Sequence, residues 1–162
     1  MTERMEKLRK AYEEFGRMIF SVAFHSTQNV EEAEDIVQEV FVRYAKKIDN
    51  TRLTEHPRYW LIRVAVNLCI DRKRKLKRFF NSFFDMGNFY RSYAHSHENN
   101  LELTDEVKWI LSGLPLRSRM VLILKYMEDM EYSEISEILN IPQGTLKAIS
   151  SRAIAKLRRK RK

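Results

Sequence analysis

The chain has 162 residues, of which 44% are hydrophobic and 32% charged, and it carries a net charge of +8. This length allows one medium domain or two small ones, and only four Gly and three Pro beside abundant Leu, Ile, Glu, Lys and Arg favour an all-α fold. No stretch approaches the roughly twenty apolar residues of a membrane span, which argues against membrane insertion and favours a cytoplasmic location.

Positive charge is concentrated in two separate blocks. Residues 51–78 carry 9 basic and 2 acidic side chains, and residues 104–162 carry 12 and 7, whereas the rest of the chain is slightly acidic. Two basic blocks are typical of a protein that binds a polyanion at two places. A solvated basic face is the alternative that composition alone leaves open.

The first fifty residues contain two segments with the helical period. One helix is predicted over residues 5–24, and a second from about Glu31 to Ile48, with early carboxylates that suit a helix N-terminus. Residues 49–56 are predicted to form a loop. The side chains predicted to face inward are Leu8, Ala11, Tyr12, Phe15, Met18, Ile19 and Val22 in the first helix, and Ile36, Val37, Val40, Phe41, Tyr44 and Ile48 in the second.

A third helix is predicted from Pro57, because proline suits the first helical position. Its core stripe is Leu61, Val64, Ala65, Leu68 and Cys69. The single cysteine can form no internal disulfide, and it is interpreted as a buried small hydrophobic residue.

The third helix also has a second face, formed by Trp60, Arg63, Asn67, Asp71 and Arg74. Arginine can hold a phosphate, asparagine can hydrogen-bond a base edge, and tryptophan can stack on an unpaired base. The set therefore suits a DNA strand that is being opened. The alternative is a solvated surface with a half-buried tryptophan.

Residues 79–103 differ in composition and are predicted to link two helical domains. Their seven aromatic side chains are unusual for a disordered linker. Phe79, Phe80, Phe83 and Phe84 have helical spacing and are interpreted as an extension of the third helix, onto the protein's own core or a partner. The sequence His-Ser-His at 95–97 is too isolated to predict a metal site, and no cofactor or metal is expected.

From Thr104 the helical period returns, with Thr104 as a predicted N-cap. The sequence Gly-Leu-Pro precedes a core helix from Leu116 to Met127, Ser133 is the next predicted N-cap, and Asn140 is predicted to end that helix.

The last predicted helix follows the turn Asn-Ile-Pro-Gln-Gly and has Leu146, Ile149, Ala153 and Leu157 as its apolar stripe. Two packed helices with a tight turn predict a helix-turn-helix, whose second helix fits a DNA major groove about 12 Å wide. Helical hairpins that bind no DNA have a similar pattern.

In order and spacing, these segments resemble the bacterial extracytoplasmic-function (ECF) sigma factors, short RNA polymerase specificity subunits with two helical domains and a linker. "EEAEDIVQEVFVRYAKKI" resembles the family's core-polymerase-binding helix and "HPRYWLIRVAVNLCIDRKRK" its promoter-melting helix. "LPLRSRMVLILKYMEDMEYSEISEILNIPQGTLKAISSRAIAKLR" resembles its carboxy-terminal DNA-binding domain. The resemblance implies a region-two domain over residues 1–78, a linker over 79–103 and a region-four domain over 104–162.

The resemblance also implies three sets of contact residues. Those implied to dock onto the beta-prime clamp helices of core polymerase are Asp35, Gln38, Glu39, Phe41 and Val42. Those implied to contact the minus-ten element are Arg58, Tyr59, Trp60, Arg63, Asn67, Asp71 and Arg74, with residues 49–56 capturing a flipped base. Those implied to contact the minus-thirty-five element are Lys125, Pro142, Thr145, Lys147, Ala148, Ile149 and Arg152.

Further partners follow from the same resemblance. They are the polymerase beta flap, double- and single-stranded promoter DNA, and an anti-sigma protein that covers the aromatic linker and the polymerase-facing surfaces.

The last helix departs from the family pattern at three adjacent positions. Family members commonly read Ser-Arg before a hydrophobic residue, whereas this chain has Ala148, Ile149 and Ser150. Because Ile149 fits the apolar stripe, Ser150 is expected to turn outward. An apolar side chain can contact a thymine methyl, so the departure predicts either an altered sequence preference or weaker binding.

Three classes of function account for the sequence to different extents. A sigma factor that recognises and helps to melt a two-part promoter explains both basic blocks. A helix-turn-helix repressor or activator that acts without polymerase explains residues 104–162 but leaves the face with Trp60, Arg63 and Asn67 unused. An enzyme is disfavoured, because the sequence contains no paired carboxylates, Cys-His pair, metal set or Gly-rich phosphate loop.

Overall fold

The computed structural model describes residues 2–82 and 105–160, and every regular element in these ranges is a helix. The all-α prediction is confirmed. The chain divides into two compact units, Met1–Asn100 and Leu101–Lys162. Within the described ranges, no helix has both the length and the apolar character that a membrane crossing requires.

The amino-terminal unit begins with two capped helices. α1 spans Glu3–Thr27, and the Thr2 hydroxyl accepts a hydrogen bond from the backbone N–H of Met5 at 3.3 Å. α2 spans Val30–Lys47, and the Asn29 side chain accepts one from the backbone N–H of Glu32 at 2.9 Å. Both caps satisfy donors that the first turn of a helix leaves unpaired.

The core of this unit lies where α1 and α2 pack against α4, which spans Pro57–Ser82. All six side chains of α2 and its C-cap that were predicted to face inward are buried. In α1, Ala11, Ile19 and Val22 are buried, and Leu8, Phe15 and Met18 are half-buried. Tyr12 was placed wrongly in the core, since it is 56% exposed.

The core face of α4 is wider than predicted. Ile62 and Val66 are fully buried beside Leu61 and Ala65, whereas Val64 is only half-buried. Eight of the ten residues from Leu61 to Ile70 are apolar, so the sequence did not single out which of them would pack against α1 and α2.

Cys69 is 2% exposed in α4, and burial raises the pKa of its thiol to about 12. The prediction of a buried small hydrophobic residue is confirmed.

The predicted loop between α2 and α4 contains a short helix, α3, which spans Thr51–Glu55. The Asn50 carbonyl accepts hydrogen bonds from the backbone N–H groups of Leu53 and Thr54 at 3.1 and 3.2 Å. A single turn of helix is too short to show an apolar period, which is why the sequence did not reveal it.

The carboxy-terminal unit contains α5 (Asp105–Ser112), α6 (Leu116–Leu122), a π-helix (Ile123–Met127), α7 (Tyr132–Leu139) and α8 (Gln143–Lys160). The predicted helix from 116 to 127 is therefore α-helical only at its start. In the π-helix the Glu128 N–H donates to the Ile123 carbonyl, five residues back, at 3.1 Å.

The prediction for α7 is right at its carboxy-terminal end and wrong at its amino-terminal end. Asn140 ends the helix in the left-handed conformation, with φ 54° and ψ 47°, as predicted. Ser133 is not the N-cap, because the N-cap is Glu131, two residues earlier, and the helix begins at Tyr132. The Glu134 carboxylate accepts the backbone N–H of Glu131 at 2.9 Å, one half of a capping box.

Two basic side chains donate hydrogen bonds to backbone carbonyls at the α5–α6 turn. The Arg119 guanidinium donates to the carbonyls of Leu111 and Leu114 at 2.8 and 3.0 Å. Lys156 of α8 donates to the Gly113 carbonyl at 3.1 Å. These bonds satisfy carbonyls that the end of a helix leaves unpaired.

Several predictions fall outside the described residues. These are the Thr104 cap, the extension of α4 over Phe83 and Phe84, and the histidines at 95–97. Phe79 and Phe80 lie within α4.

Candidate nucleic-acid and polymerase interfaces

The second face of α4 lies on the solvent side of the helix. Arg63, Asn67, Asp71 and Arg74 are all exposed. They recur at three or four residues, so they form one strip that extends roughly 17 Å along the helix at 1.5 Å per residue. The structure therefore brings these four predicted site residues together.

Trp60 is half-buried at the start of this strip. Its ring lies 6.1 Å from the ring of buried Tyr44, at an interplanar angle of 48°. One part of the indole is fixed against the core while another part remains accessible. Arg58 and Tyr59, in the same first turn of α4, are also half-buried.

The segment before α4 exposes polar side chains. Asn50, Arg52, Glu55 and His56 are exposed around α3. They offer hydrogen-bonding groups beside the Trp60 end of α4, because α3 packs directly against α4.

α2 exposes most of the residues implied to bind polymerase. Asp35 and Gln38 are exposed, and Val42 is 51% exposed. Glu39 pairs with Arg43 at 2.8 Å, and this hydrogen bond lowers the pKa of the Glu39 carboxyl. The arrangement is a mixed apolar and acidic surface.

Phe41 does not belong to this surface. It is 7% exposed, with its ring 5.1 Å from the ring of Tyr12 and 6.5 Å from that of Tyr44. Phe41 faces inward because it lies one residue before Val42, on another side of the helix. Its side chain supports the exposed Tyr12 ring, which sequence reasoning had assigned to the core.

In the carboxy-terminal unit, α8 exposes a basic surface. Pro142, Thr145, Lys147 and Arg152 are exposed, and Ala148 is half-buried. α8 contains no acidic residue, and its basic residues are Lys147, Arg152, Lys156, Arg158, Arg159 and Lys160. Such a helix attracts DNA phosphates without any specific base contact.

Ser150 is buried, contrary to the expectation that it turns outward. It is 2% exposed, and its hydroxyl lies 3.5 Å from the Tyr126 hydroxyl. The inward stripe of α8 runs through Leu146, Ser150 and Ala153. Spacings of four and three suit a helix as well as three and four do, so periodicity could not distinguish Ser150 from Ile149.

Ile149 instead lies at the edge of the core. It is half-buried and lines a shallow groove with Pro115 and Ser118, beside the start of α6. The half-buried position leaves part of the side chain accessible next to Arg152.

Two lysines of the predicted minus-thirty-five set share an aromatic ring. Lys125 Nζ lies 4.7 Å from the centroid of the Tyr132 ring, and Lys147 Nζ lies 5.9 Å from it. Sequence reasoning missed Tyr132, because no local pattern shows that residues 125, 132 and 147 meet.

The side chains on these surfaces include basic, polar and aromatic groups. Among the described residues there is no group of three or more His, Cys, Asp or Glu side chains that could hold a metal ion. A basic helix-turn-helix in one unit and a basic helix with a tryptophan edge in the other are typical of a transcription protein that binds DNA.

Comparisons with known proteins identify the family. The family model for Sigma-70 region 2 matches residues 11–79, and that for Sigma-70 region 4 matches residues 110–159. The ECF sigma factor SigW of Bacillus subtilis is 34% identical over a match that covers 87% of this chain and 81% of SigW. SigM of the same organism is 27% identical, with 91% and 90% covered. The chain therefore belongs to the ECF sigma factors.

A solved structure shows the same fold. The sigma factor RpoE from Bartonella quintana, in complex with the anti-sigma factor NepR, superposes with a TM-score of 0.71. The match covers 93% of this chain and 94% of RpoE at 21% identity.

Membership of this family establishes the general function. The protein is a sigma factor, which binds RNA polymerase and directs promoter recognition and transcription initiation. The alternative of a regulator that acts without polymerase is not favoured, because region 2 accounts for the first basic block and region 4 for the second.

Proposed function

We propose that the protein is a non-catalytic, cytoplasmic sigma factor that uses each unit for a different promoter element. Residues 1–78 are assigned to polymerase binding, minus-ten recognition and melting, and residues 104–162 to the minus-thirty-five element. Residues 79–103 connect them. The observation that carries this proposal is the pair of exposed basic helical faces, one in each unit.

The proposed polymerase contact is the exposed face of α2 against the beta-prime clamp helices. An exposed valine beside carboxylates supports this assignment. Val42 offers apolar area to a partner, and the carboxylates of Asp35 and Glu39 favour a partner surface with positive charge. Phe41 is assigned a supporting role from the core. The beta flap is the proposed partner of the carboxy-terminal unit.

The proposed minus-ten contact joins the strip on α4 to the segment 49–56. Unstacking a base costs a few kcal/mol, which stacking and hydrogen bonds must offset. Trp60 supports this role because Tyr44 holds its ring in place before DNA arrives. The arginines at 58, 63 and 74 are assigned to phosphates, Tyr59 to stacking, and Asn67 and Asp71 to hydrogen bonding.

The proposed minus-thirty-five contact is the outward face of α8 with Lys125. Lys147 and Arg152 are assigned to phosphates, and Pro142 and Thr145 to the DNA backbone at the start of the helix. Ala148 and Ile149 are assigned to apolar contact with bases, where a thymine methyl is the partner that fits them.

The experiment that tests this assignment uses holoenzyme reconstituted with core RNA polymerase and a promoter that the protein occupies in vivo. Lys147→Ala and Arg152→Ala are each expected to reduce the slope of log K against log salt by about 0.9, because each removes one phosphate contact. Lys10→Ala is a matched control, since Lys10 is an exposed lysine on α1. An unchanged slope in both variants would contradict the phosphate assignment.

A second test addresses melting. Trp60→Ala is expected to reduce the permanganate reactivity of minus-ten thymines while binding at the minus-thirty-five element persists. Normal melting by this variant would remove Trp60 from the proposed site.

An anti-sigma protein is the proposed regulatory partner, and it would cover the linker and the polymerase-facing side of α2. The support is that the RpoE structure with the same fold holds an anti-sigma factor. Purification from uninduced native cells is expected to recover a stoichiometric partner that core polymerase displaces. Recovery of the sigma factor without any such partner would contradict this proposal.

A further inference from the structure

The ring of Tyr132 lies close to lysines from two other elements of the carboxy-terminal unit. Tyr132 is the first residue of α7, while Lys125 comes from the π-helix and Lys147 from α8. Their ammonium nitrogens lie 4.7 and 5.9 Å from the ring centroid. Both distances fall within the roughly 6 Å at which the face of an aromatic ring attracts a cation.

The ring is held by a well-defined helix start. The bond between the Glu134 carboxylate and the Glu131 N–H fixes the first turn of α7, and Ile135 and Ile138 bury the same helix in the core. The two lysine side chains are long and flexible by comparison. The ring is therefore the fixed partner that orients the lysines.

Neither lysine is paired with a carboxylate of the described residues. In residues 2–82 and 105–160, no ion pair joins Lys125 or Lys147 to an acidic side chain. An ammonium group has three N–H donors, and contact with a ring face leaves donors free for phosphate oxygens. The arrangement thus positions both charges without neutralising either.

We propose that Tyr132 is a positioning residue that holds Lys125 and Lys147 as one paired site for backbone phosphates of the minus-thirty-five DNA. This inference rests on the proposed function and adds to it a residue outside the implied contact set. Ordering a long side chain on binding costs free energy, and the ring reduces that cost because it orders both lysines before DNA arrives. The hydroxyl of Tyr132 has no part in this role.

The test compares Tyr132→Leu, which removes the ring, with Tyr132→Phe, which keeps it. In reconstituted holoenzyme on a promoter duplex, Tyr132→Leu is expected to raise the dissociation constant about three- to tenfold, because the cost of ordering the two lysine side chains then falls on DNA binding. Tyr132→Phe is expected to bind like the unmodified protein. In a chain that already carries Lys125→Ala and Lys147→Ala, Tyr132→Leu is expected to have no further effect.

A spectroscopic measurement on the free, folded protein tests the contact without DNA. In the free protein, ring currents are expected to shift the ε-methylene protons of Lys125 and Lys147 upfield. The shift should persist in Tyr132→Phe and disappear in Tyr132→Leu. Ordinary lysine shifts in the unmodified protein would overturn the proposal.

The outcomes separate this inference from the proposed function. If the two lysine variants bind normally, the minus-thirty-five assignment fails. If they bind weakly but Tyr132→Leu binds normally, only the role of Tyr132 fails. Equal losses in Tyr132→Phe and Tyr132→Leu would show that the hydroxyl contacts DNA directly, and would also overturn the proposal.

Discussion

Replacing Ser150 with alanine is expected to stabilise the carboxy-terminal unit. The Ser150 side chain is 2% exposed, and the hydrogen bond that the structure gives its hydroxyl, to Tyr126, has an O···O distance of 3.5 Å. That distance is long for two hydroxyls, which prefer about 2.7–2.8 Å. The hydroxyl is therefore removed from water without a strong bond in return.

Two contributions determine how much Ser150→Ala changes the free energy of unfolding. Burying a poorly bonded hydroxyl costs about 1–3 kcal/mol, and the weak bond to Tyr126 offsets part of this. Alanine also has the higher helix propensity, by about 0.5 kcal/mol. We expect Ser150→Ala to increase the free energy of unfolding by about 1–2 kcal/mol, which for a domain of this size raises the melting temperature by at least about 4 °C.

Ser151→Ala is the matched control. Ser151 is the next residue of the same helix and is exposed. Ser151→Ala therefore raises the helix propensity by the same amount but removes no buried hydroxyl. Unfolding of the full chain can be followed by Trp109 fluorescence in a Trp60→Phe background, because the protein has two tryptophans. Equal effects of the two alanine substitutions, or a loss of stability in Ser150→Ala, would refute the argument.

Two further predictions concern titratable groups of the amino-terminal unit. Burial raises the pKa of the Glu32 carboxyl, so its contribution to stability is present below the unfolded pKa and is lost as pH rises through the folded pKa. Glu32→Gln is therefore expected to raise the melting temperature at pH 7, with a smaller gain near pH 4, and an equal gain at both pH values would contradict this. Because burial raises the pKa of Cys69 to about 12, the native protein is expected to react with a disulfide reagent at pH 8 only after denaturant is added, and rapid native reaction would contradict the burial.

Amphipathic period was enough to predict the long helices and much of their packing. In α2 the stripe from Ile36 to Ile48 is buried as predicted, because polar residues separate its apolar positions and leave one clear apolar face. The same reasoning underestimated α4, where Ile62 and Val66 are also buried. Eight of the ten residues from Leu61 to Ile70 are apolar, so the helical period does not single out one face in this segment.

The sequence predicted which helix faces carry the candidate site residues. It did not predict which side chains contact one another. The solvent strip on α4 follows from spacing alone. The ring shared by Lys125 and Lys147 depends on how three elements pack, which no local pattern contains. The exchange of Ser150 for Ile149 in the stripe of α8 has a similar cause, since both positions satisfy the helical period and tertiary packing decides between them.

The π-helix at Ile123–Met127 is a place where the chain can lose one residue and keep its helix. This π-helix follows α6 and ends the helix, and a π turn holds one residue more than an α turn, so a one-residue deletion there would leave an α-helical end. A deletion before Lys125 would also turn this residue about 100° around the helix axis, because each residue of an α-helix advances by that angle. Loss of a single codon could thus separate Lys125 from Tyr132 while the helix itself stays intact.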